Sequence, residues 1–118
     1  MDAVEASKII ADEYAAKILA ATYTTPKSAI RLSHDLGIPI AACYRRIRWL
    51  EGANLIQCEE RVLTQKGKRM SVYVSKLKNA FIFLENGKLR VRFEMKSGRV
   101  DDFEGDVQIL GSQVSVKI

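Results

Sequence analysis

The sequence predicts an α+β fold in which three helices precede a β-hairpin, with a C-terminal β-rich extension after it. Three observations carry this. Apolar residues recur at spacings of three and four through the first part of the chain, which is helical periodicity. From about residue 55 onward, β-branched and aromatic residues at alternate positions replace that pattern. Turn signals separate the segments, chief among them Thr25-Pro26, Gly37-Ile38-Pro39, Gly52-Ala53-Asn54 and Asn86-Gly87. With 118 residues, of which 47% are hydrophobic and 28% charged, the chain fits one folded domain with a small appendage. The expected organisation is a helix-and-hairpin domain over 1–78 and a hairpin-rich tail over 79–118 that serves dimerisation or an accessory role.

Residues 4–21 lack Gly and Pro and are rich in good helix formers, so they read as one helix. Ala6, Ile10, Tyr14 and Ile18 give it an apolar stripe, which Ile9 and Leu19 widen. Thr25-Pro26 then signals a helix start, since a Thr hydroxyl caps free N–H groups and Pro at the first helical position loses nothing. The second helix is expected over 26–36, with Ala29, Leu32 and Leu36 inward, Ile30 toward the first helix, and Lys27 and Arg31 outward. Gly37 supplies its left-handed stop. The third helix is expected from Pro39 or Ile40 to Glu51. Cys43, Ile47 and Leu50 share its core face, whereas Ala41, Tyr44, Arg45 and Arg48 share the opposite one, flanked by Arg46 and Trp49.

Two β-prone runs, 55–63 and 69–76, read as a hairpin whose tip, Thr64-Gln65-Lys66-Gly67-Lys68, is polar and basic. In the tail, Asn86-Gly87 suits a tight hairpin turn because both residues adopt positive φ, and strands are expected at 80–84 and 89–95. A further pair is expected at 107–110 and 114–118 around Gly111-Ser112. Between them, 96–105 reads as a solvated loop. Its acids, Asp101, Asp102 and Glu104, with Asp106 beyond, lack the ligand spacing of a calcium loop.

Net charge is +5, unevenly spread. Eleven Lys and Arg residues against four acids lie between Lys27 and Lys78, whereas the chain beyond carries six of each. Positive charge confined to one segment suits a face that meets a polyanion. Cys43 and Cys58 form neither a CxxC nor a CxC pair, so both are expected as free thiols in a reducing compartment. The apolar stretches are far shorter than the roughly 18–20 residues of a membrane span, and Asp2 and Glu5 stand where a signal peptide would be basic. The cytoplasm is the expected location, with no membrane contact.

A short helix, a Gly-containing turn and a basic second helix make a helix-turn-helix pattern, and a basic hairpin after it reads as a wing. The segment from Leu32-Ser33-His34-Asp35-Leu36-Gly37-Ile38-Pro39 through Arg45-Arg46-Ile47-Arg48-Trp49-Leu50-Glu51 to Leu55-Ile56 resembles the motif of ArsR-type winged-helix repressors and their archaeal relatives. The resemblance extends from about Ile10 to Ser75 and finds no counterpart for the tail. Asn54 stands where that family usually has Gly, a mild departure since Asn tolerates positive φ. The resemblance implies a homodimer that reads two half-sites on double-stranded DNA and regulates transcription, with repression by promoter occlusion as the expected mode.

On that reading Arg45, Arg48 and Arg46 pair with phosphates or guanine edges. Ala41 and Ala42 let the third helix approach the groove, and Tyr44 meets a phosphate or a thymine methyl. Lys66, Lys68 and Arg69 on the wing, with Lys27 on the second helix, supply backbone contacts. Metal sensing is not expected, because Cys43, Cys58 and the single His34 are too few for a thiolate or imidazole site in one subunit. No cofactor is expected. Enzyme motifs are absent too, with no Gly-rich phosphate loop, GxSxG or His/Cys cluster. Two alternatives stay open: a winged-helix module that meets an acidic protein surface, and an architectural binder indifferent to DNA sequence.

Overall fold

The computed structural model describes residues 1–63, 66, 67 and 69–106, with backbone alone at 60–63 and 106. The chain is α+β, and its described residues form four helices, a two-stranded antiparallel hairpin and a three-stranded antiparallel sheet. The helices are α1 (Ala3–Ala11), α2 (Glu13–Ala21), α3 (Ala29–Leu36) and α4 (Ile40–Gly52). The strands are β1 (Ile56–Leu63), β2 (Arg69–Ser75), β3 (Leu77–Glu85), β4 (Lys88–Met95) and β5 (Val100–Asp106). The expected division at residue 78 falls inside β3, and the strands expected at 107–110 and 114–118 lie outside the described residues.

The single helix expected over 4–21 is two helices broken at Asp12, whose backbone is extended (φ −71°, ψ 122°). The break has a local cause: Asp is a poor interior residue but a strong N-cap, and here its carboxylate accepts the N–H of Ala15 at 2.8 Å. α3 begins at Ala29, three residues later than Thr25-Pro26 suggests. Ser28 is the cap, accepting the Arg31 N–H at 3.1 Å. Lys27 is held extended instead by bonding to Tyr73 of β2 through both backbone groups, N–H to carbonyl at 3.0 Å and carbonyl from N–H at 2.8 Å. Gly37 ends α3 in the left-handed region (φ 66°), and buried Ile38 plugs the turn before Pro39 opens α4.

β1 and β2 pair in antiparallel register from Ile56↔Ser75 to Leu63↔Arg69, with one extra residue between Cys58 and Glu60. A bulge of this kind bends and twists the arm. At its base Ser75 is buried and its hydroxyl accepts the Leu77 N–H at 3.1 Å where the chain passes into the second sheet. The order there is β3-β4-β5. Asn86 (φ 53°) and Gly87 (φ 75°) make the β3–β4 turn in the expected way.

Residues 96–105, expected as a loop, contain most of β5, which pairs with β4 from Glu94↔Val100 to Lys88↔Asp106. The strand forms despite its low-propensity acids because the arginines of β4 lie opposite them: Arg92 bonds Asp102 through two nitrogens, at 2.9 and 3.3 Å. Phe103 contacts Phe93 edge-on, 5.3 Å between centroids. Val91, Phe93 and Met95 of β4 belong to the same buried cluster as Ala3, Ala6 and Ile9 of α1 and Ile18, Leu32, Ile47 and Leu50 of the other helices. Gly105 comes close beneath Ala3, where an added Cβ would sit 3.4 Å from that residue's own. No helix among the described residues is long and apolar enough to cross a membrane.

Candidate nucleic-acid interface

α4 is two-faced because its apolar residues recur every three to four positions. Ala42, Cys43, Ile47 and Leu50 are buried, while Ile40, Ala41, Tyr44, Arg45, Arg48 and Trp49 are exposed. Cys43 donates its thiol to the Ala29 carbonyl at 3.5 Å, which seats α4 against α3, and burial pushes that thiol up from its ordinary pKa. Ala42 therefore leaves the expected contact set: at 6% exposure it packs inside, one position round the helix from Ala41.

Arg46 leaves it as well. Its Nε and Nη2 both donate to the Asp12 carboxylate at 3.1 Å, and its guanidinium carbon lies 5.4 Å from the Tyr14 ring centre. The guanidinium holds the Asp12 carboxyl below the usual carboxylate range, and the pair is largely shielded, with 26% and 21% of the two side chains exposed. Arg46 is thus a strut from α4 to the start of α2. Among the described residues Arg45 and Arg48 enter no ion pair.

The hairpin lies beside this face. A cleft of about 220 Å³ is lined by Tyr44 of α4, Ser28 and Ile30 of the α3 entry, and Arg69 and Met70 of β2. Lys66 and Arg69 are exposed, whereas Lys68 lies outside the described residues. Lys27 is half-buried, its backbone tied to Tyr73, and its side chain lines a groove of about 640 Å³ with Arg31, His34, Met70 and Val72. Arg31 is committed to Asp35 at 2.7 Å, which draws the Asp35 carboxyl down. Ile30 is 62% exposed over this groove rather than turned to the first helix.

No family model and no curated protein matches this chain. The site accordingly stands on its own geometry. The structure brings Ala41, Tyr44, Arg45 and Arg48 together on one helix face, with Lys66 and Arg69 on the neighbouring hairpin. In the tail the arginines face acids of the same sheet: Arg90 and Arg92 face Glu85 and Asp102, and Arg99 bonds Asp101. Among the described residues the arginines that enter no ion pair are Arg45 and Arg48 on α4 and Arg69 on the hairpin beside it. Among the described residues no group of three or more His, Cys, Asp or Glu is placed to hold a metal ion.

Sequence reasoning missed the Asp12–Arg46 pair. The signal for it was Asp12-Glu13 in mid-run, a cap residue followed by an acid of the kind that begins helices.

Proposed function

We propose that the chain is a winged helix-turn-helix protein that binds double-stranded DNA as a dimer and regulates transcription. α3 and α4 form the helix-turn-helix, α4 enters the major groove, and the β1–β2 hairpin is the wing that grips the neighbouring backbone. The observation that carries this reading is the solvent face of α4, where Arg45 and Arg48 stand beside Tyr44 and Ala41 without an acidic partner among the described residues. An exposed guanidinium held on a rigid helix has the reach and the paired donors to grip guanine N7 and O6 or a phosphate. Lys66 and Arg69 add charge that tracks the backbone without reading sequence.

The test is binding of the purified protein to its own upstream DNA and to an unrelated duplex across a salt series. Arg45→Ala and Arg48→Ala are each expected to weaken binding to the preferred duplex by about 5- to 150-fold, the equivalent of 1–3 kcal/mol, without lowering the melting temperature. Arg46→Ala is expected to do the reverse, lowering stability first. Equal affinity for both duplexes would favour an architectural binder. No binding to either at low salt would overturn the DNA reading and favour a protein contact, for which exposed Ile40 and Trp49 on the same helix provide apolar area.

A further inference from the structure

β3 is an edge strand. Among the described residues its only strand partner is β4, and none of them pairs with the backbone on the other side of 79–85. Edge strands are ordinarily protected by Pro, by inward charges or by bulges. The stretch 79–85 has none before its terminal Glu85. It reads Asn79-Ala80-Phe81-Ile82-Phe83-Leu84-Glu85, and its one irregularity against β4 lies earlier, between Leu77 and Asn79. The side chains are exposed where a folded chain would normally cover them: Phe81 at 39%, Ile82 at 48% and Leu84 at 70%. Register with β4 assigns the faces, Ile82 and Leu84 lying on the side of Val91 and Leu89, and Phe81 and Phe83 on the side of Arg92 and Arg90. Val91 is buried in the cluster that holds Ala3, Ala6 and Ile9 of α1, whereas Ile82 and Leu84 on the same face stay exposed.

We infer that this edge pairs with the same edge of a second copy, β3 against β3 in antiparallel register about a two-fold axis at Ile82. The occupant follows from the order of residues. In an antiparallel pair, opposite residues share a face, so the axis must pass through a residue position. With the axis at Ile82, Phe81 meets Phe83 of the second copy, Ala80 meets Leu84, and the Asn79 amide, which keeps one N–H beyond its bond to Glu94 at 3.0 Å, meets the Glu85 carboxylate, which keeps one oxygen beyond its contact with Arg90 at 3.5 Å. Apolar pairs then fill the middle and a donor faces an acceptor at each end. An axis at Phe81 puts Asn79 against Phe83 and Leu77 against Glu85. One at Phe83 puts Glu85 against Phe81. Only the Ile82 axis matches like with like over the whole stretch, giving a continuous six-stranded sheet. The pairing rests on the dimeric reading above and names the surface that joins the subunits.

The test is sedimentation of the full chain over a concentration series, without DNA. The wild type is expected to dimerise, and Ile82→Lys to raise the dissociation constant at least about tenfold by placing two like charges on the axis. Ile82→Glu is expected to do the same, and an equimolar mixture of the two variants to associate again. That recovery also shows that both variants fold. In a Cys58→Ser background, Ile82→Cys is expected to oxidise to a covalent dimer, since opposite Cα atoms lie roughly 4.5–5.5 Å apart, within disulfide range. Leu84→Cys is not, its two copies being roughly 14 Å apart along the strands. A wild-type monomer at all concentrations, a dimer indifferent to Ile82→Lys, or crosslinking of Leu84→Cys in preference to Ile82→Cys would each overturn the inference. A chain that dimerises through Ile82 and ignores every duplex would uphold it while overturning the DNA reading.

Discussion

The Asp12 carboxylate accepts the Ala15 N–H at 2.8 Å and both donors of Arg46 at 3.1 Å, so one side chain starts α2 and fastens it to α4. The guanidinium lowers the folded-state pKa of Asp12 beneath its ordinary value. Because the unfolded chain then takes up a proton more readily than the folded one, the stabilisation is complete above the unfolded carboxylate value, about 3.9, and is lost as pH falls through the lower folded value. Asp12→Asn keeps a capping oxygen and removes the charge. It is expected to cost about 1–3 kcal/mol in urea unfolding near neutral pH, and the difference from wild type should shrink as the pH drops below 4. Equal stability at neutral pH would mean that the pair merely decorates the surface. This residue also marks a limit of sequence reading at the site. Arg45, Arg46 and Arg48 are chemically alike along one helix, and only the three-dimensional position of an acid thirty-four residues upstream separates the strut from the two cations that pair with no acid among the described residues.

α4 shows why some elements are legible in a sequence and others are not. Its core positions, Cys43, Ile47 and Leu50, follow from spacing alone and are all buried. Helical periodicity is set by local geometry and needs no knowledge of partners. By contrast, the late start of α3 depends on Lys27 finding Tyr73, and β5 depends on Arg92 and Phe93 supplying ion-pair and ring contacts from β4. Both are tertiary decisions that override a Pro signal in one case and low strand propensity in the other. The two cysteines sit on elements that differ in the same way. Cys43 faces the α3–α4 seam with its thiol hydrogen-bonded and its pKa raised by burial, whereas Cys58 is exposed on β1. A thiol reagent should therefore modify one cysteine promptly in the native protein and the second only on unfolding. Cys58→Ser should abolish the prompt phase. Prompt labelling that survives this substitution would show that the seam opens under native conditions.

The tail sheet, expected as a separate region from residue 79, contributes Val91, Phe93 and Met95 to the cluster that also holds Ala3, Ile9, Ile18 and Leu50. α1 lies between the two parts, with its buried residues shared by the helical body and by β4 and β5. Residues far apart in sequence thus depend on one another for burial, and removing apolar volume from either side leaves a cavity the other must line. Phe93 is the largest fully buried side chain, 1% exposed, with Phe103 edge-on at 5.3 Å. Phe93→Ala is expected to cost about 3–5 kcal/mol. If the core is shared, that cost falls on the whole molecule: helical circular dichroism and the fluorescence of Trp49, which sits on α4, should shift together in one transition. Were the tail a separate unit, the variant would lose its sheet while the Trp49 transition stayed at the wild-type midpoint. The distinction bears on function, because a two-fold axis at β3 can fix the spacing of two α4 helices only if the sheet and the helices move as one body.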